Sequence, residues 1–263
     1  MTSFDPMLVF DIETVPDVAG GRRILGLDGF DDADVRTAMI SARMQSRGTD
    51  FQPAHLQRVV AISVALRSGE DSFKCWTLGD EDADEAEIIK RFYDGVERYR
   101  PQLVSWNGSG FDLPVLHYRA MLHGIAAPAY WDTGARERES KYNNYLSRYH
   151  ERHLDLMDYL ALYNGRNYAP LTEIAVLLGF PGKLGMDGSK VAQAFDEGRI
   201  REIREYCETD VLNTWLVTLR FLRLRGQISA QDEAVEHERA KAYCRDSGAV
   251  HWKEFVEAWE AAA

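Results

Sequence analysis

The sequence predicts an α/β fold, and three observations carry that expectation. A short apolar run holding Leu8, Val9, Phe10 and Ile12 reads as a buried strand, two β-rich runs follow it at hairpin spacing, and from Asp84 onward helices and strands alternate. The chain has 263 residues, more than one average domain and fewer than two. With 45% hydrophobic and 28% charged residues it has the composition of a globular protein.

Taken in order, Met7 to Val15 is the first strand, too brief for a helix and stopped by Pro16. Asp17 to Arg58 reads as an insertion: it is glycine-rich at its start and has an acidic lead, Asp31, Asp32 and Asp34, into a weakly amphipathic helix around Val35 to Met44. Val59 to Leu66 and Ser72 to Leu78 are joined by the turn-rich Arg67-Ser-Gly-Glu-Asp71, which predicts an antiparallel pair beside the first strand. Ile88, Ile89, Phe92, Val96 and Tyr99 share one helical face, and Pro101 ends that helix. A strand over Gln102 to Trp106 enters the turn Asn107-Gly-Ser-Gly110, and a helix follows from about Asp112 to His123. A polar segment, Asp132 to Arg152, interrupts the alternation. The apolar run Leu154 to Leu162, a helix near Leu171 to Leu178 and a long helix from Arg199 to about Arg225 complete the body. The tail is helical, and its stripe Trp252, Phe255, Val256 and Trp259 is expected to dock on the chain's own core.

Charge narrows the function. The 42 acidic residues outweigh 31 basic ones, a formal charge of −11, so bulk charge does not draw this chain to nucleic acid or anionic membrane. A polyanion would have to meet a local patch. No apolar run approaches the roughly 20 residues of a spanning helix, and the start, MTSFDPMLVF, has no cationic leader. A soluble cytoplasmic protein without a membrane partner is the expectation. Cys75, Cys207 and Cys244 are scattered, which supports neither a disulfide framework nor a thiolate zinc site.

Three constellations could carry chemistry. Asp11 and Glu13 alternate along an apolar strand, so both carboxylates share one face and repel each other unless a cation lies between them. No G-x-x-x-x-G-K-[ST] accompanies them, which argues against a nucleotide triphosphatase. Asn107-Gly-Ser-Gly-Phe-Asp112 joins a strand to a helix, and Asp112 is there either as a helix cap or as an acid at the strand's carboxyl end, where open α/β sheets bind ligands. Tyr206 and Asp210 stand one turn apart on the same face of the long helix.

In this order the three sets resemble the motifs of the DEDD exonuclease superfamily, and more closely the stand-alone 3′-5′ exonucleases related to the proofreading domain of family-B DNA polymerases. The matching residues are Asp11 and Glu13, then Asn107, Phe111 and Asp112, then Tyr206 and Asp210. Tyrosine four residues before the last aspartate marks the DEDDy branch, and the histidine branch's position five before it is Glu205 here. The segments around Phe10 to Thr14, His153 to Asp158, Gly185 to Lys190 and Tyr206 to Thr214 are similar too. The likeness covers about residues 7 to 225. The insertion and the tail carry none of the motifs.

The resemblance implies a ribonuclease-H-like fold, a mixed five-stranded sheet flanked by helices. It divides the chain into an exonuclease domain over 1–225, with the insertion at about 17–58, and a helical extension over 226–263. It implies phosphodiester hydrolysis with two divalent cations, Mg²⁺ or Mn²⁺, which would turn four mutually repelling carboxylates into hard oxygen ligands. By analogy Asp11 bridges the metals, Glu13 and Asp210 hold the ion that activates water, Asp112 supports the second ion and Tyr206 orients the attacking water.

Residues for the substrate come from local charge. Between Arg136 and Arg152, five cations stand against three carboxylates, leaving −13 for the rest of the chain, and Tyr142, Tyr145 and Tyr149 are interleaved. Cations that follow phosphates and aromatic faces that stack bases suit a flexible single strand. The candidates are Asn107, Phe111, Arg138, Lys141, Tyr142, Tyr145 and Arg148, with Lys183 and Lys190 beside the Gly182 to Gly188 loop as secondary ones. His150-x-x-His153-x-Asp155 and Asp80-x-Asp82-x-Asp84 look metal-like, but the first has no partner cluster and the second lacks the glycine and terminal glutamate of a calcium loop. The expected activity is 3′-5′ exonucleolytic release of nucleoside monophosphates from single-stranded DNA. The alternatives are an exoribonuclease and, in another class, a non-catalytic nucleic-acid-binding or polymerase-associated module.

Overall fold

The structure, a computed structural model, describes residues 4–262. Met1 to Ser3, part of the segment read as lacking a leader, and Ala263 lie outside the described residues.

Strand β1 spans Phe4–Pro16, longer at both ends than its apolar run, and is the centre of the sheet. Helices α1 (Val18–Leu25) and α2 (Asp32–Arg47) form the insertion, capped by Asp17 and Asp31 and closed by Gly26 and Gly48 in left-handed conformation. Strands β2 (Gln57–Gly69) and β3 (Ser72–Thr77) are the expected hairpin. Helix α3 (Glu85–Tyr99), capped by Asp84, leads to β4 (Gln102–Ser105), and α4 (Asp112–His123) follows the glycine-rich turn.

The apolar run that starts at Leu154 divides. His153–Asp155 becomes the fifth strand, β5, and Leu156–Leu160 the short helix α5, capped by Asp155. Three residues are too few for periodicity to announce a strand; pairing with β4, Leu103 opposite His153 and Ser105 opposite Asp155, creates it. Helices α6 (Leu171–Leu177), α7 (Val191–Asp196) and α8 (Ile200–Leu224) precede the C-terminal pair α9 (Ala230–Ser247) and α10 (Val250–Ala262).

The sheet order is β3-β2-β1-β4-β5, antiparallel on the hairpin side and parallel from β1 to β5. Alternation along β1 then sorts its side chains. Leu8, Phe10 and Ile12 join a core with Ile89 and Phe92 of α3 and Leu116 of α4, whereas Met7 and Val9 join Val211 and Trp215 of α8 on the other face. Val15 continues that second face against Ile203, Tyr206 and Cys207 of α8. Asp11 and Glu13 therefore face α8.

As the stripe predicted, Trp252, Phe255, Val256 and Trp259 of α10 are buried in the same core as Trp215. The tail is also tied to the sheet by a buried ion pair from Arg67 of β2 to Glu236 of α9, 2.8 Å apart. The insertion is clasped from two sides. Arg36 of α2 pairs with Asp196 at the end of α7, and buried Arg119 of α4 pairs with Asp17 and with Glu85, which also holds the Val59 amide.

Candidate active site

Beyond Val9, β1 outruns β4, since the parallel register ends at the pair Val9 and Val104. The Ile12 amide on that edge has no β4 carbonyl to meet, and the Asp112 carboxylate accepts from it at 3.2 Å. The turn before Asp112 is built for this approach. Asp155 accepts the amides of Asn107 at 2.9 Å and Ser109 at 2.8 Å, Asn107 takes φ +66°, and Gly108 lies so close to Ser105 that a side chain there would collide with it. Phe111 is the residue that caps α4, and Asp112 is the helix's first residue. The simple capping reading of Asp112 does not hold; its carboxylate reaches across to the first strand.

On the other element, α8 brings Tyr206 and Asp210 against the Asp11 and Glu13 face. Asp11, Glu13 and Cys207 offer ligand atoms that all lie within 4.8 Å of one another. Burial first, then the charges of Asp112, Glu13 and Asp210, push the Asp11 carboxyl well above its ordinary range. Glu13, also buried, is pushed well up by burial and then by Asp210 and Asp112. Burial raises Asp112 to about 7 against the pull of the Ile12 amide, and Asp210 to about 6 against its hydrogen bond from Tyr206 and the charge of Lys183. Burial and the surrounding carboxylates raise the Tyr206 hydroxyl, so it stays protonated and donates to Asp210. Four acids from three separate elements thus share one electrostatic environment. The tightest group among the described residues is narrower than the expected four, because it holds Asp11 and Glu13 with a thiol.

Cys207 was invisible as a site residue in the sequence, although its place three residues before Asp210 is the one signal that could have raised it. It is fully buried, with Sγ 3.5 Å from the Asp11 carbonyl and 3.8 Å from its carboxylate. Burial pushes the thiol well up, with Asp11 and Glu13 adding to it, and it donates to Asp11. The four carboxylates supply hard oxygen donors, which fit Mg²⁺ or Mn²⁺.

The residues considered for substrate are placed unevenly. Lys183 comes to the site: its Nζ lies 5.6 Å from the Tyr206 ring centroid, and its charge lowers both Glu13 and Asp210. Lys190 instead pairs locally with Asp187. Arg138, Lys141 and Tyr142 are exposed in the polar segment, whose start is ordered by Asp132 accepting four successive amides, Gly134 to Glu137. Arg148 is held by buried Asp158 at 2.5 Å.

Tyr145 is a correction. It is 4% exposed, donates its hydroxyl to the Pro101 carbonyl and stacks on Tyr130 at 5.4 Å, so its ring is already used in the core and cannot take a base. A cavity of about 430 Å³ beside the motif turn is lined by Asn107, Gly110, Arg148 and Tyr168 among others. The set-aside histidines do internal work, His153 bonding to Ser105 and His150 accepting the Asn144 amide.

This sheet order, with its acids where β1 outruns β4 opposite a long helix, defines an α/β protein of the ribonuclease-H-like, polymerase-exonuclease type. The chain belongs to the family of predicted 3′-5′ exonucleases related to the exonuclease domain of PolB, whose model matches residues 49–259. That match contains Asn107, Phe111, Asp112, Tyr206 and Asp210 and begins after β1, so Asp11 and Glu13 lie before it. The fold is similar to the family B DNA polymerase from the hyperthermophilic archaeon Pyrobaculum calidifontis, with a TM-score of 0.50 and 18% identity. The likeness covers 82% of this chain and 24% of that polymerase. No match is found among curated proteins. No helix of the described residues is long and apolar enough to cross a membrane.

Proposed function

We propose that this chain is a divalent-metal-dependent exonuclease that removes nucleoside monophosphates from the 3′ end of single-stranded DNA. The observation that carries the reading is the meeting of Asp11 and Glu13 on β1 with Tyr206 and Asp210 on α8, where burial raises all three carboxyls and the neighbouring acids raise Asp11 and Glu13 further. Asp11, Glu13, Asp112 and Asp210 would hold two Mg²⁺ or Mn²⁺ ions, which supply water activation and charge neutralisation at the scissile phosphate. Within that frame the chain's own groups divide the work. Asp112, tethered to the Ile12 amide, keeps α4 and β1 at a fixed separation. Tyr206, protonated and donating its one proton to Asp210, would orient the attacking water by accepting a hydrogen bond from it. Lys183 offsets the anionic cluster and would contact the phosphate.

A single nucleic-acid strand is favoured by the exposed cations Arg138 and Lys141 with Tyr142 beside them, in a chain otherwise strongly acidic, and DNA by the family's relation to a DNA polymerase exonuclease domain. The decisive experiment incubates the purified protein with 5′-labelled DNA and RNA strands in Mn²⁺, Mg²⁺ or EDTA. A DNA ladder that shortens gradually and stops in EDTA supports the reading. Preferential RNA degradation would change the polymer, and binding without cleavage in either metal would make the chain a non-catalytic module.

A further inference from the structure

The insertion, which carries none of the motifs, places an aromatic ring beside the site. Phe51 follows α2 and is 56% exposed, and its ring centroid lies 5.4 Å from that of Phe111, the residue immediately before Asp112. The two planes are inclined by 47°, neither stacked nor edge-on, so Phe51 leans on Phe111 without being covered.

An exposed phenylalanine alone means little. This one is held. Its carbonyl accepts from Arg43 Nε at 3.0 Å and its amide donates to Thr49 at 3.2 Å. The next residue, buried Gln52, is tied to the acid-bearing strand by a relay: Thr14, adjacent to Glu13, donates to Gln57 at 3.0 Å, and Gln57 donates to the Gln52 carbonyl at 2.9 Å. A loop that merely covered a core would bury this ring. Here the hydrogen bonds fix the backbone on both sides of it while the ring stays in solvent, an arrangement that lowers the ordering cost of a stacking contact.

We propose that Phe51 is a binding residue that stacks on a nucleobase near the 3′ end of the single strand, with Phe111 as its backing. The assignment rests on the exonuclease reading and extends it to the insertion. The ligand is a planar heterocycle on a flexible backbone, and stacking by an unpolarised ring does not select among bases.

The test compares wild type, Phe51→Ala, Phe51→Tyr and Phe51→Trp on two 5′-labelled DNA strands, one unmodified and one with abasic residues replacing its last three nucleotides. Steady-state cleavage and strand binding by fluorescence anisotropy are both measured. On the unmodified strand Phe51→Ala should raise KM and Kd about 5- to 150-fold with kcat changed much less, and the two aromatic variants should stay near wild type. On the abasic strand wild type and Phe51→Ala should be alike. An unchanged KM and Kd in Phe51→Ala on the unmodified strand overturns the proposal while the exonuclease reading stands, as does an equal loss on both strands. If wild type neither cleaves nor binds the unmodified strand, the exonuclease reading falls first and takes this assignment with it.

Discussion

The Asp112 carboxylate on α4 accepts the backbone amide of Ile12 on β1 at 3.2 Å, across 100 residues of sequence. One oxygen of a proposed metal ligand thereby also completes the hydrogen bonding of the strand that carries Asp11 and Glu13. Structure and chemistry are joined at one side chain, and substitution can part them. Asp112→Asn keeps an acceptor for Ile12 and loses the charge; Asp112→Ala loses both. Cleavage should fall at least about 100-fold in each, whereas only the alanine variant should lose about 1 to 3 kcal/mol for the orphaned amide. Urea unfolding beside a cleavage assay measures both, and near-normal turnover in Asp112→Asn would remove the residue from the site.

Tyr206 donates to Asp210 and stays protonated, so its hydroxyl is a donor at any working pH. Tyr206→Phe removes that oxygen and keeps the ring packed on Val15 and Ile203. We expect kcat to fall about 10- to 1000-fold while Mn²⁺ binding, followed by calorimetry, is retained. Unchanged kcat would make the residue a packing tyrosine.

The raised carboxyls set a pH dependence whose sign follows from linkage. Asp112 near 7 and Asp210 near 6 hold their protons in the folded, metal-free protein at pH values where unfolded aspartates, near 3.8, have lost theirs. Their contribution to stability is therefore fully present below about pH 4 and is lost as pH rises through 6 and 7. A divalent ion competes with those protons. Added Mn²⁺ should raise Tm at pH 8 and do so progressively less as pH falls through 7 and 6. Thermal melts with Mn²⁺ and with EDTA at pH 5, 6, 7 and 8 check this. A Mn²⁺ shift as large at pH 5 as at pH 8 would mean that these acids do not bind the ion.

Arg67 and Glu236 are 1% and 4% exposed and join β2 to α9. Arg67 also donates to the carbonyls of Gly69 and Glu70, so it organises the β2–β3 turn as well. Glu236→Ala would leave a buried guanidinium without its carboxylate and should cost about 3 to 5 kcal/mol. In denaturant unfolding a loss below about 1 kcal/mol would show that the C-terminal helices contribute little to the stability of the sheet.

Arg138 and Lys141 are exposed and free of the constraint that Asp158 places on Arg148. Replacing both by alanine should raise KM for single-stranded DNA, leave kcat nearly unchanged, and flatten the salt dependence by up to about 0.7 per lost phosphate contact. Salt titration of KM checks it. An unaltered slope would move the strand's path toward Lys183.

The sequence by itself determined most of the longer elements and where the motif residues of the proposed site fall on them. Period-2 alternation was enough to set Asp11 and Glu13 on one face, the helical repeat to pair Tyr206 with Asp210, and the aromatic stripe of α10 to mark a docking face, because each depends only on local geometry. Local geometry stops at the element. That His153–Asp155 is a strand, that Asp112 reaches Ile12 and does not simply cap α4, and that Cys207 joins Asp11 all depend on contacts across tens to hundreds of residues. The tyrosines show the same division. Tyr142 and Tyr145 are three residues apart in one polar segment, yet packing left the first 76% exposed and stacked the second on Tyr130, because only the fold decides which ring finds a partner. Phe51 lies in a segment without any motif, and it stands beside Phe111 where hydrogen bonds through Gln57 tie the insertion to the first strand.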